Sequence, residues 1–600
     1  MGKFLKYVFA AMFGVLLALG VLVVIGVIIA SYSVSSSQGT VAGSVMKGSV
    51  LHIQLDGEIV DQDKETDFMD LSNLVMGVSK GNAIGLNVLT KAIRKAAQSD
   101  KIAGIFLETV DLNANPAAMQ ALHRELVNFK KSGKFIAAYA DSYSQGEYYV
   151  CSPADKLILN PQGALSWKGL ASRPMFFKNV FEKLGVKVNV FKVGTYKSAV
   201  EPFINTEMSP ANREQVTSFL GSIWNNMVKD VAEVRKLSVD SLQAYADCDM
   251  ELQPVQEYVN CGLVDTLMYV DEAKAALKQL CGIGESDKLK LVSPLSVAEM
   301  KMDSEKKKSG KVAVYYASGE IFTSSPDGMD IAKDCILASD VIRDAEKLSN
   351  DDEVKAVVLR INSPGGDAYA SEQIWHAFKK LGEKKPLVVS MSDYAASGGY
   401  YMAVAGKRIF AEPMTLTGSI GIFGLMFDAS ELLTKKVGLT FDVVKTNNNS
   451  DFLIGNFMQP IEEKQAAKIQ AYVERGYALF MSRVAEGRGM TTAQVDSIGQ
   501  GRVWTGEQAL RIGLVDELGG LVDAVEYAAK QAGIEKDYEV EESPLHDPWY
   551  VSLMGEVQEN YFEQRLRGMS GEAYEAYRAL RLMQAQSHIQ ARMPFNPNIQ

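Results

Sequence analysis

Along most of the chain, short runs of β-branched residues alternate with stretches of helical period. Val312–Tyr316, Ala356–Ile361 and Pro386–Ser390 read as strands, and Ser371–Leu381 and Glu462–Val484 as helices. That alternation predicts an α/β fold with crossover connections between strands. Two stretches depart from it. After Lys3 and Lys6, residues Tyr7–Ala30 are 24 positions without a charge. At about 1.5 Å per residue, a helix of that length crosses the roughly 30 Å hydrocarbon core of a bilayer. The run exceeds the ~7–15 apolar residues of a secretory signal, so residues 1–30 are expected to be an uncleaved transmembrane anchor, although Ala30-Ser31-Tyr32-Ser33 leaves cleavage open. Positive residues precede the span, and the Ser/Gly linker 31–47 carries no Lys or Arg as far as Ser44. The positive-inside rule then puts the body of the chain outside the cytoplasm. At the other end, residues 536–600 read as a mostly helical tail of mixed charge, packed on the body or on a neighbouring subunit.

The interior repeats itself. Asp141-Ser-Tyr-Ser-Gln-Gly-Glu-Tyr-Tyr149 lies opposite Asp393-Tyr-Ala-Ala-Ser-Gly-Gly-Tyr-Tyr401, a shift of 393 − 141 = 252 residues. Leu184–Lys192 answers Val437–Lys445, and Gly262-Leu-Val-Asp265 answers Gly513-Leu-Val-Asp516. Collinear matching over such a distance predicts two homologous halves, 48–285 and 311–535, joined by a charged linker, 286–310, whose Met300–Gly310 end is rich in lysine.

Composition narrows the chemistry. The charge sum over 600 residues is 62 − 73 = −11, which provides no global positive field for a polyanion and makes nucleic acid a poor partner. The five cysteines are scattered without a C-x-x-C, and the five histidines form no H-E-x-x-H, so no metal site is expected. Cys248 and Cys261 could pair or stay free. Any catalysis here has to manage with little histidine.

The duplication serves as an internal control, because a residue needed only for folding should recur in both halves. Ser397, flanked by Ala395, Ala396, Gly398 and Gly399, faces Gln145 in the first half. A serine among small neighbours suits a nucleophile that substrate must approach closely. Gly365 and Gly366, ending the run Leu359–Gly366, face Asn113 and Ala114. A strand that ends in Pro-Gly-Gly exposes backbone N–H groups, as an oxyanion hole requires. No histidine lies near either motif, but a lysine whose pKa is lowered by an apolar site can act as the base. Lys192 recurs as Lys445 and reads as structural, whereas Lys197 faces Ser450 and has no counterpart. The nucleophile would come from one half and the base from the other. Ser304-Glu-Lys-Lys307 also fits S-x-x-K, but its charged surroundings exclude it. Taken singly, each motif has a plainer reading as a tight turn or a solvated lysine.

Together the motifs resemble signal peptide peptidase A (protease IV) in its long, membrane-anchored bacterial form. The resemblance rests on Tyr196-Lys-Ser-Ala-Val-Glu-Pro-Phe203, Asn362-Ser-Pro-Gly-Gly366, Asp393–Tyr401 and Leu416-Thr-Gly-Ser-Ile-Gly-Ile-Phe-Gly424, and extends over nearly the whole chain. It implies two tandem crotonase/Clp-like repeats, a Ser/Lys dyad divided between them, and a homotetramer on the periplasmic side of the cytoplasmic (inner) membrane. By motif, Ser397 corresponds to the nucleophile, Lys197 to the general base, Gly366 and Gly398 to the oxyanion amides, and Ser419 to a serine that orients the lysine. Ser419 stands opposite Trp167 and is likewise peculiar to the second half. No cofactor or metal is implied. The implied substrates are apolar signal-peptide remnants, with the lipid bilayer met through residues 7–30. Two competing readings are a crotonase-type acyl-CoA enzyme, which needs neither the anchor nor the Ser/Lys pair, and a non-catalytic membrane scaffold, which leaves the intact second half unexplained.

Overall fold

The computed structural model describes residues 45–62, 83–301, 309–323, 335–452, 457–544 and 589–593. They form an α/β molecule with two parallel-rich sheets and a third, mixed sheet shared between them. In the first sheet Ser49–Val60, Ile102–Asn113, Phe135–Ala140, Lys156–Leu159 and Thr266–Leu267 lie side by side, all parallel. In the second, Gly310–Ser318, Val354–Ser363, Leu387–Ala396, Arg408–Ala411 and Glu517–Leu518 follow the same order, again all parallel. The duplication seen in the sequence is thus repeated in strand order.

The central strands are buried almost without interruption because helices cover both faces of the sheet. The helix Ala368–Lys384 begins at Asp367, whose carboxylate accepts the Ala370 amide at 2.6 Å, and it buries Ile374, Trp375 and Phe378. On the opposite face, Ala524, Val525 and Ala528 of the helix Leu521–Gln531 pack on Val312, Val314 and Val358. Each fully buried branched or aromatic side chain contributes about 1.5–3 kcal/mol relative to exposure.

The third sheet decides where the functional residues meet. Its strands run in the order Cys335–Leu337, Glu320–Phe322, Gly365–Asp367, Ile589–Arg592, Phe423–Asp428, Lys187–Lys192. The last two belong to different halves and pair antiparallel, with Lys192 opposite Phe423 and Lys187 opposite Asp428. A second tie between the halves is buried. The Arg360 guanidinium reaches Asp61 at 2.7 Å and also donates to Ser390 Oγ, Met391 O and Ser392 Oγ at 2.9–3.0 Å.

Two expectations need correction. Within 536–600, read as helical, the described residues form strands. Tyr538–Ser543 pairs parallel with Gly310–Ser318, and Ile589–Arg592 enters the mixed sheet. Helical periodicity gave way there to the unpaired edges those strands complete. The linker 286–310 contributes a strand, Leu291–Val292, against Val50–Leu51, and a helix, Pro294–Ala298, capped by Ser293. The two halves also differ locally: Lys187–Lys192 is a strand, whereas the matching residues 440–445 are not. Among the described residues, no helix is long and apolar enough to cross a membrane. The expected anchor (7–30), most of the tail (545–588 and 594–600) and Ser304–Lys307 lie outside the described residues. Cys248 and Cys261 are both free.

Candidate active site

Ser397 stands where the strand Leu387–Ala396 turns into the helix Gly398–Ala403. Its backbone has φ 54° and ψ −111°, a region that ordinary side chains avoid, and the small residues on either side of it allow the turn. Backbone strain of this kind costs on the order of 1–3 kcal/mol and persists only where the surroundings enforce it. Here the Ser397 amide donates to Gly418 O at 2.8 Å and Tyr401 N donates to Ser397 O at 2.8 Å, which fixes both sides of the turn. The hydroxyl is fully buried.

The Lys187–Lys192 strand delivers Lys197 to the same point. Pairing with Phe423–Asp428 carries the chain after Lys192 across the turn that precedes Phe423, where Ser419 and Gly421 lie. Lys197 is 0% exposed, and its Nζ lies 2.7 Å from Ser397 Oγ, 3.1 Å from Ser419 O and 3.1 Å from Ser419 Oγ. Burial alone drives its pKa well below the ordinary lysine value, and among the described residues no carboxylate pairs with it. A neutral amine has two N–H bonds and one lone pair. A neutral amine that gives both N–H groups to Ser419 would keep its lone pair for the Ser397 hydroxyl, 2.7 Å away. Ser419 itself is held at φ 48° by its amide, which donates to Arg502 O at 2.7 Å.

The sequence reading missed the part that grips the lysine. The loop Gly499–Arg502 lies on the segment before Lys197. Gln500 O accepts the Tyr196 amide at 2.9 Å, and Gln500 Oε1 accepts the Thr195 amide at 3.2 Å. Arg502 stacks on the Tyr196 ring at 4.7 Å, and Gln215 donates to Tyr196 O at 3.0 Å while accepting the Val503 amide at 3.2 Å. The Gly-Gln-Gly punctuation at 499–501 was a legible turn signal, but nothing in it named its partner.

Gly366 lies in the short strand Gly365–Asp367 and Gly398 opens the helix after Ser397, so both flank the serine. The first half shows what the same framework does without the serine. Gln145 opens the equivalent helix, its Oε1 accepting the amides of Lys168 and Gly169 at 2.9 Å and its Nε2 donating to Gly169 O at 3.2 Å. Lys168 and Gly169 correspond to Ile420 and Gly421, so the glutamine side chain is tied to the loop equivalent to the one that carries Ser419 in the second half. Trp167, opposite Ser419, is fully buried there. Among the described residues, no cluster of metal-ligating side chains occurs.

The model of peptidase family S49 matches residues 128–284 and 379–535, once in each half. Protease 4 of Salmonella typhi is 34% identical over 587 residues, covering 95% of this chain and 90% of its own. Protease 4 of Haemophilus influenzae is 34% identical over 86% of this chain and 84% of its own. The chloroplastic serine protease SPPA of Arabidopsis thaliana is 32% identical over 82% of this chain and 70% of its own. Among solved structures, a ClpP1 mutant from Listeria monocytogenes overlays 35% of this chain and 94% of its own at a TM-score of 0.24 and 18% identity.

Proposed function

Because the chain belongs to peptidase family S49 and is a serine protease, we propose that it cleaves peptide bonds through a Ser397/Lys197 dyad divided between its two halves. The observation that carries this reading is the 2.7 Å approach of a fully buried lysine amine to a fully buried serine hydroxyl. Lys197, neutral through desolvation, takes the Ser397 proton. The alkoxide attacks the peptide carbonyl, and the amides of Gly366 and Gly398 hold the developing oxyanion. Lys197 returns the proton to the leaving amine, and water then hydrolyses the acyl-enzyme. Ser419 holds the amine so that its lone pair stays on the serine.

The substrate side of the proposal is a membrane-anchored endopeptidase acting on cleaved, apolar signal peptides at the outer face of the cytoplasmic membrane, as a homotetramer. The uncharged run 7–30 supports the membrane anchor. Labelling with a fluorophosphonate tests the nucleophile. Wild type should be marked, and Ser397→Ala should lose both the label and all but roughly one-tenth or less of peptide-ester turnover, a loss of at least ~1.4 kcal/mol in barrier terms. Retained turnover in Ser397→Ala removes the dyad. Full protection of the 31–47 linker from protease added to intact spheroplasts overturns the orientation.

A further inference from the structure

Gln215, on the helix Pro210–Arg235 of the first half, is 0% exposed. A buried primary amide needs partners for its carbonyl and for both of its N–H bonds, and here the groups around it fix which end is which. Oε1 lies 3.2 Å from the Val503 backbone nitrogen, which can only donate. Nε2 lies 3.0 Å from Tyr196 O, which can only accept, and 2.9 Å from Ser198 Oγ. The Ser198 hydroxyl donates onward to Asn212 Oδ1 at 2.9 Å, which leaves its oxygen to accept from Gln215.

These bonds reach the serine and the lysine from opposite sides. Tyr196 and Ser198 flank Lys197 in the chain, so Nε2 holds the segment both before and after the amine-bearing residue. Val503 lies opposite Gly418 on Val503–Thr505, the edge strand of the second sheet. Gly418 O accepts the Ser397 amide at 2.8 Å, and Arg502 O, one residue before Val503, accepts the Ser419 amide at 2.7 Å. Val503 is 1% exposed, so its amide is shut off from bulk water and depends on Gln215. An apolar residue, like Val216 and Phe219 of the same helix, would fill this site without any need for partners, whereas a buried amide is costly unless it is bonded.

We propose that Gln215 is a positioning residue, which keeps Lys197 at bonding distance from Ser397 by tying the Tyr196–Ser198 segment to the Arg502–Val503 segment. The inference rests on the dyad reading above and adds to it a side chain that touches neither substrate nor the reacting atoms. Without Gln215, the lysine segment keeps its Gln500 contacts on the Thr195–Tyr196 side and loses its hold on the Ser198 side. The amine then drifts from the serine hydroxyl, and water reaches it.

The experiment compares full-length wild type, Gln215→Met and Ser222→Ala, purified in detergent, by steady-state kinetics on a peptide ester across pH. Methionine fills the volume and offers no amide. Ser222 lies about two turns further along the same helix and bonds Thr505 of the same strand at 2.8 Å, so its variant measures an ordinary tie between helix and strand. The plateau kcat should fall about 10- to 100-fold in Gln215→Met with KM within about threefold of wild type, and stay within about threefold in Ser222→Ala. The rising limb of the Gln215→Met profile should move to higher pH, because water admitted to the amine favours its charged form. A Gln215→Met enzyme with kcat within about threefold of wild type, one whose loss lies in KM with the limb unmoved, or an equal loss in Ser222→Ala overturns the proposal. If Gln215→Met does not fold, Gln215→Glu, which keeps an acceptor for Val503, is held to the same kcat and KM outcomes. Turnover that survives Lys197→Ala overturns the dyad reading instead, whereas turnover lost in Lys197→Ala and kept in Gln215→Met overturns the role of Gln215 alone.

Discussion

Replacing Gly501 by alanine should disable the enzyme by moving its lysine. A Cβ on Gly501 would lie 2.6 Å from both the Cβ and the N of Lys197 and 2.7 Å from its Cα. Carbon atoms pack at about 3.5–4.0 Å, so the Lys197 main chain must retreat by ~1 Å. Main-chain atoms cannot swing aside as a side-chain tip can, and the retreat is passed on to the amine opposite Ser397. A misplacement of about 1 Å costs on the order of 10²-fold in rate. Gly501 also has φ +79°, so alanine there adds left-handed strain of about 1–2 kcal/mol. That is small against the roughly 5–15 kcal/mol of a typical domain, and the protein should remain folded. Gly489→Ala isolates the strain, since Gly489 has φ +63° with nothing within 4 Å of its Cβ position. Steady-state kinetics on a peptide ester should show kcat falling ~10²-fold in Gly501→Ala and by less than about threefold in Gly489→Ala, with thermal unfolding shifted similarly in both. A Gly501→Ala enzyme with kcat within about threefold of wild type would refute the claim that this contact sets the lysine's position.

Other outcomes follow from the buried charges. Turnover should rise with pH through the depressed Lys197 pKa and then level off, since the neutral amine is the active form, and Lys197→Arg should be inactive at every pH measured because a guanidinium stays protonated. Burial, reinforced by nearby Asp61, raises the Asp393 pKa to about 7. The folded state therefore keeps a proton that the unfolded chain releases near pH 4. Stability should fall between about pH 4 and 7 with a slope approaching ~1.4 kcal/mol per pH unit, and Asp393→Asn should flatten that part of a denaturation series. Arg360→Met leaves Asp61 buried without its cation and should cost about 3–5 kcal/mol in denaturant unfolding. Adding Asp61→Leu should recover most of that loss, and a double variant no better than the single one would count against the tie between the halves.

What was legible in the sequence depended on whether its signal was local or repeated. The duplication exposed itself because collinear residues survive in both halves, and comparison of the halves then singled out Ser397 and Lys197 as unmatched, while Ser419 came from the family resemblance. Strand pairing between distant segments leaves no such trace. Nothing in Lys187–Lys192 indicates that its partner is Phe423–Asp428, and Gly499–Arg502 reads as an ordinary turn until it is seen against Tyr196. Ile589–Arg592 was absorbed into a helical reading because four residues of mixed character carry little β signal of their own. They become a strand because two waiting edges accept them.

The division of the dyad also has a temporal side. Translation makes Lys197 two hundred residues before Ser397 (397 − 197 = 200), and the strand that positions the lysine, Lys187–Lys192, has no edge to pair with until Phe423–Asp428 has been made. No nascent fragment shorter than that holds a working pair, and neither half released alone can assemble one. If the proposed dyad is the catalytic pair, an unfinished or truncated chain stays inert in the presence of its neighbours' exposed segments, and hydrolytic power arrives only with a molecule whose two halves have already found each other.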